Sequence, residues 1–122
     1  MKYVVLVYET PANFETRRNP SPEPYIGAWR AYYKALVKAG VYVDGAPLKE
    51  VATATTVRLK DGKRHVQDGP FAEAKEQLGG FMILELPSLD AALDWAARSP
   101  AAATGALEVR PIDVDFETIV KE

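Results

Sequence analysis

Two short segments constrain the fold most. Tyr3 to Tyr8 (YVVLVY) and Phe81 to Leu86 (FMILEL) are apolar at nearly every position instead of alternating. Their β-branched and aromatic residues favour strands. Strands that read as continuous apolar runs are covered on both faces. Each is therefore expected near the middle of a sheet, and the fold has to supply cover on both sides of it.

The segments between them set the order of elements. Thr10 to Pro24 is polar and holds Pro11, Pro20, Pro22 and Pro24, which predicts a loop. Ser21-Pro22-Glu23 has the make-up of a helix start, with Ser as cap, Pro in the first turn and an acid beside it. Ile26, Trp29, Tyr33, Leu36 and Val37 then recur at helical spacing, and Gly40 is placed to cap the C-terminus. Val41 to Val43 reads as a brief strand and Asp44-Gly45-Ala46-Pro47 as a turn.

Asp61-Gly62 between Thr53–Leu59 and Lys63–Asp68 is a strong hairpin signal, because a type I′ turn needs positive φ at both central residues. A two-residue turn pairs Lys60 with Lys63, Arg58 with His65 and Val57 with Val66. Val57, Leu59, Val66 and Asp68 then share one face, and Arg58, Lys60, Lys63 and His65 the other. Ser88 caps a second helix with Leu89, Ala92, Leu93, Ala96 and Ala97 on its apolar side, ending near Ser99-Pro100. Ala101 to Gly105 is a small-residue loop, Leu107 to Ile112 the last strand, and the remainder a polar tail.

Strand, helix, strand, hairpin, strand, helix, strand is a βαββαβ pattern with an added β-hairpin, which predicts an α+β, ferredoxin-like single domain over residues 1–122. That topology puts the two apolar strands in the middle of the sheet. Two helices cover only one sheet face. A second copy of the same sheet would cover the other, so a homodimer is expected. The alternative is a monomer whose long loops fold over the open face.

Composition narrows the function. Hydrophobic residues make up 48% and charged residues 26% of 122, which suits a packed core. A net charge of −2 offers no general attraction to nucleic acid or an anionic membrane, so neither is an expected partner. With no Cys and one His, thiolate chemistry, disulfides and Cys- or multi-His metal sites within one chain are excluded. No cofactor signature is present, and Gly79-Gly80 lacks the Gly-Lys-Ser/Thr of a phosphate loop. The N-terminal run ends at Glu9, too short for a membrane span and without a cleavage site, so a cytoplasmic location is expected.

Residues 68–76 read DGPFAEAKE and are followed by Gln77-Leu78-Gly79-Gly80-Phe81. The segment resembles the signature of the DGPF branch of the YCII-related family. The start MKYVVLVYE, the Ala54–Arg58 strand, Ala91–Arg98 and Glu108–Pro111 match it in order. The resemblance covers nearly the whole chain and implies a ferredoxin-like fold pairing into a dimeric α/β barrel. It also implies that some relatives are small-molecule enzymes working through a His–Asp pair. This chain has Trp29 at the His position, and Ala46-Pro47-Leu48 is followed by Lys49 and Glu50 where the Asp would stand. Branch members are often encoded beside extracytoplasmic-function sigma factors, which implies a regulatory role as an alternative.

Asp68 is the leading candidate for chemistry. The hairpin register aims it towards the face of Val57 and Val66, and a carboxylate held in a cleft can act as general acid or base. Asp before Gly-Pro equally caps turns. Glu73, Lys75 and Glu76 could bind a polar ligand, or form a solvated face with weak ion pairs. His65 is a second candidate base or an exposed strand residue. Arg58 could anchor an anion or pair with an acid. Trp29 and Tyr33 are expected in the core, while Tyr3, Tyr8 and Phe81 could line a pocket between the sheet and a partner. Gly69, Gly79 and Gly80 are expected where the backbone turns or is closely approached. Two functions remain open: a small-molecule enzyme or binding protein using a cleft at the sheet and dimer interface, or a non-catalytic regulatory protein.

Overall fold

The computed structural model describes residues 1–71 and 75–122. The chain forms strands β1 (Lys2–Glu9), β2 (Tyr42–Pro47), β3 (Thr55–Lys60), β4 (Lys63–Asp68), β5 (Gln77–Glu85) and β6 (Ala106–Pro111). Its helices are α1 (Pro11–Glu15), α2 (Pro24–Lys38), α3 (Leu89–Ala97) and α4 (Val114–Val120). The fold is mixed α+β. A four-stranded antiparallel sheet runs β2-β5-β1-β6, and β3-β4 form a separate two-stranded sheet. The two apolar segments, β1 and β5, occupy the middle of the larger sheet.

Alternation along β1 sends Tyr3, Val5 and Val7 inward, where they meet Met82 and Leu84 of β5, Tyr32 and Leu36 of α2, and Ala92 and Ala96 of α3. Leu36, Leu84 and Val5 are the largest fully buried side chains, each contributing about 1.5–3 kcal/mol of apolar transfer. Both longer helices lie on this face. Val4, Leu6 and Tyr8, and on β5 Phe81 and Ile83, alternate to the opposite face and are half-buried. Tyr3, expected beside Tyr8 in a pocket, is instead in the core.

Several sequence expectations are corrected. The segment after β1 is not a plain loop. Thr10 and Asn13 form a reciprocal capping box that starts α1, and a 3₁₀ turn over Thr16–Arg18 follows. α2 starts at Pro24 with Glu23 as its cap, not at Ser21. Its buried residues are Tyr32 and Leu36, with Trp29 partly buried beside them, and Tyr33 and Val37 are half exposed. Periodicity alone admits either tyrosine. Tyr32 is the one whose hydroxyl finds a buried acceptor, donating to the Trp95 carbonyl at 2.7 Å. α3 approaches the sheet on Ala92 and Ala96, leaving Leu89 and Leu93 about half exposed.

Asp44 to Pro47 continue β2 along the sheet edge, where Pro is tolerated, instead of turning. The polar tail contains α4, capped by Asp113 accepting from the Phe116 N–H at 2.9 Å. α2 does end as expected. Gly40 sits at φ +73°, with Gly40 N–H donating to Val37 and Val41 N–H to Leu36, a Schellman cap. The hairpin follows the expected register, with Asp61 and Gly62 both at positive φ. It stands apart from the main sheet, however, and Val57, Leu59 and Val66 are exposed.

Candidate functional site

The inward alternation of β1 does not stop at Val7. It continues to Glu9, which puts a carboxylate on the helix side of the sheet, where it is only 3% exposed. Room for it comes from β5. The β1–β5 ladder pairs Val7 with Gly80 and then Tyr8 with Leu78, so Gly79 is the extra residue of a bulge. A Cβ on Gly79 would fall 2.0 Å from Glu9 Oε1, so only glycine leaves space for the carboxylate in this arrangement.

Burial of a carboxylate demands partners, and two segments supply them. The turn after α1 brings in Arg17, whose Nη2 donates to Glu9 Oε1 at 2.9 Å and to the Gly79 carbonyl at 3.2 Å. Its Nη1 donates to the Leu48 carbonyl. The first turn of α2 brings in Tyr25, whose hydroxyl donates to Glu9 Oε2 at 2.6 Å. Burial, and then the bond to Glu9, push the Tyr25 hydroxyl well above the usual tyrosine range. Arg17 is about one-third exposed and Glu9 is not. Removing one member of such a pair costs about 3–5 kcal/mol when the remaining charge is fully buried, and less where water reaches it. Among the described residues no buried side-chain nitrogen or oxygen lacks a partner.

This cluster closes one end of a cleft of about 540 Å³ between α2 and strands β1, β2 and β5. The volume falls within the usual range for small-molecule sites, about 300–1,000 Å³. Val7, Trp29, Leu36, Tyr42 and Met82 contribute to its walls. Trp29 is fixed by edge-to-face packing against Tyr25 at 6.4 Å and Tyr32 at 5.5 Å. At the other end Tyr33 of α2 meets Tyr42 of β2 edge to face at 5.0 Å. The arrangement is an aromatic-walled slot with one carboxylate–guanidinium–phenol cluster at its end. It suits a flat, apolar molecule that carries a hydrogen-bonding group.

Of the described residues proposed from the sequence for catalysis or ligand binding, Phe81 borders the cleft and the others lie elsewhere. Phe81 is part of the cleft floor, although alternation along β5 directs its ring to the opposite face beside Leu6. Tyr8 is also on that face, donating to Glu108 at 3.3 Å. Arg58 and His65 are cross-strand partners on the exposed hairpin, and Arg58 lies 4.7 Å over the Phe71 ring. Asp68 is opposite Thr55 on the other hairpin face and is exposed. Lys75 and Glu76 are exposed, and Glu73 lies outside the described residues. Among the described residues no group of three His, Cys, Asp or Glu side chains is placed to hold a metal ion, and no helix is long and apolar enough to cross a membrane.

Sequence reasoning misses Glu9, Arg17 and Tyr25. The available signal is Glu9 itself, which falls at an inward position of an apolar strand. Arg17 and Tyr25 carry no local signal, because their role depends on α1 folding where the prolines suggest a loop.

Residues 1–116 match the YCII-related domain. The chain is 38% identical over 114 residues to the uncharacterized protein R00369 of Rhizobium meliloti (strain 1021), with 92% of each covered. The chain therefore belongs to the YCII-related family. Its fold is similar to that of 5-chloro-2-hydroxyhydroquinone dehydrochlorinase from Burkholderia phenoliruptrix AC1100, solved in complex with 2,5-dihydroxybenzoquinone. The likeness spans 93% of this chain and 94% of that one, at a TM-score of 0.54 and 18% identity, and it concerns the fold alone.

Proposed function

We propose that this protein is a small-molecule enzyme or ligand-binding protein that takes a planar, oxygenated ring compound into the cleft between α2 and the sheet. The observation that carries this reading is the buried Glu9 carboxylate, held by Arg17 and Tyr25 at the end of an aromatic-walled slot. Each Glu9 oxygen accepts one of these bonds and retains a second lone pair. A ligand hydroxyl can donate there, and Glu9 can take its proton as a general base. Trp29 stands on the cleft wall where relatives are expected to carry a His, and Pro47 and the Leu48 carbonyl border the same cluster. The His position of the family resemblance thus lies on the cleft wall with Trp29 in it, whereas Lys49 and Glu50, where the Asp would stand, do not border the cleft. A fold neighbour complexed with a dihydroxybenzoquinone makes that ring class the first to try.

The reading places the chain in the DGPF branch, with a ferredoxin-like βαββαβ core that pairs into a dimeric barrel. Half-buried Val4, Leu6, Phe81 and Ile83 lie on the sheet face away from α2 and α3 and supply the surface for pairing. Sedimentation equilibrium should give a dimer that Leu6→Lys dissociates. A wild-type monomer would refute the pairing. For the cleft, calorimetric titration with simple dihydroxybenzenes, hydroquinone first, is the test. Binding to wild type that Glu9→Gln weakens at least tenfold supports it. Equal binding by a folded Glu9→Gln protein refutes it.

A further inference from the structure

We infer that the ligand of this cleft is a monoanionic aromatic acid, with a hydroxyl donating to Glu9 and its anionic group at Arg30. The inference rests on the proposed function and adds the charge class. Three charged residues border the cleft: Glu9, Arg17 and Arg30. Glu9 and Arg17 neutralise each other through their 2.9 Å ion pair. Arg30 has no carboxylate within 4.0 Å among the described residues, so the cleft carries one uncompensated positive charge. A neutral ring would leave that charge unused, and a dianion would over-neutralise it.

Position supports the same class. Arg30 follows Tyr25 by five residues on α2, a rise of about 7.5 Å at 1.5 Å per residue, so it lies more than one helical turn beyond the Glu9 cluster. Ile26, Arg30 and Tyr33 lie along one side of α2 and all border the cleft, and Arg30 is exposed where Glu9 is buried. A guanidinium there can hold a planar carboxylate by two parallel bonds.

The test compares 4-hydroxybenzoate with its neutral twin, 4-hydroxybenzyl alcohol, by calorimetric titration of wild type, Arg30→Gln and Glu9→Gln. Circular dichroism first confirms that each variant is folded. The acid is expected to bind wild type about five- to tenfold more tightly than the alcohol, a span suited to a solvent-accessible charged contact. Arg30→Gln should abolish that preference and leave the alcohol unchanged, whereas Glu9→Gln should weaken both. If both compounds bind wild type equally, or Arg30→Gln keeps the preference, the charge class is wrong and the cleft reading stands. If neither compound nor any dihydroxybenzene binds, both fall together.

Discussion

Replacing Gly79 by alanine tests whether the β5 bulge exists to accommodate a carboxylate. The added Cβ would lie 2.0 Å from Glu9 Oε1, 2.9 Å from Cδ and 3.2 Å from Cγ, and these three nearest atoms all belong to one side chain. φ at Gly79 is not positive, so the alanine meets no backbone penalty. The cost has to come from moving Glu9. Its carboxylate is nearly sealed from water and holds two charge-assisted bonds. Losing both would cost about 3–6 kcal/mol at about 1.5–3 each. Arg17 is partly exposed and can be rehydrated, so about 2–4 kcal/mol is expected. For 122 residues this corresponds to a fall in Tm of about 8–16 °C, using about 2.1 cal/mol/K of unfolding entropy per residue.

The assay is thermal and urea unfolding of a double-mutant cycle with Glu9→Ala. In the Glu9→Ala background the crowding atoms are gone, and Gly79→Ala should cost less than about 0.5 kcal/mol. Gly27→Ala is the control. Gly27 lies exposed within α2 with nothing within 4 Å of where a Cβ would stand, so alanine there should stabilise by about 0.5–1 kcal/mol. Equal destabilisation by Gly79→Ala in both backgrounds would refute the reasoning, since the penalty would not pass through Glu9.

Three further outcomes follow from the same geometry. Tyr25→Phe should cost about 1.5–3 kcal/mol in urea unfolding, because it removes a hydrogen bond to a buried carboxylate. Tyr32 is pushed up to about 12 by burial, from an ordinary 10.0. The folded state thus holds this proton more tightly, so its contribution is complete below pH 10 and lost as pH rises from 10 to about 12. Tyr32→Phe should flatten that alkaline fall in stability while costing about 1 kcal/mol at neutral pH. Asp68→Asn should leave ligand affinity at the cleft unchanged in titration calorimetry, because Asp68 is exposed on the hairpin.

How much of the fold is legible in the sequence depends on how local each signal is. The positions of β1 and β5 in the sheet follow from their unbroken apolar runs, and the Asp61-Gly62 turn dictates its own register. The Gly40 cap is equally local. The site is hidden for three reasons. Glu9 reads as the polar end of a strand unless its inward parity is followed past Val7. Arg17 matters only because Thr10 and Asn13 start a short helix among prolines that suggest a loop. Tyr25 matters only because α2 starts at Pro24, two residues later than a Ser21 cap implies. Long-range packing, not propensity, brings the three together. The DGPF segment draws attention by its signature, yet the described part of it borders none of the cleft. The choice of Tyr32 over Tyr33 as the core residue likewise rests on a carbonyl contributed by α3, sixty-three residues away.

Whether the cleft takes an oxygenated ring is read most directly by a backbone-resolved NMR titration of the protein with 4-hydroxybenzoate and hydroquinone. Saturable shifts are expected at Glu9, Arg17, Tyr25, Trp29 and Gly79 to Met82, with the hairpin over 55–68 unmoved. Shifts confined to the hairpin around Arg58, His65 and Asp68, or no saturable shift with either compound, would contradict the cleft reading.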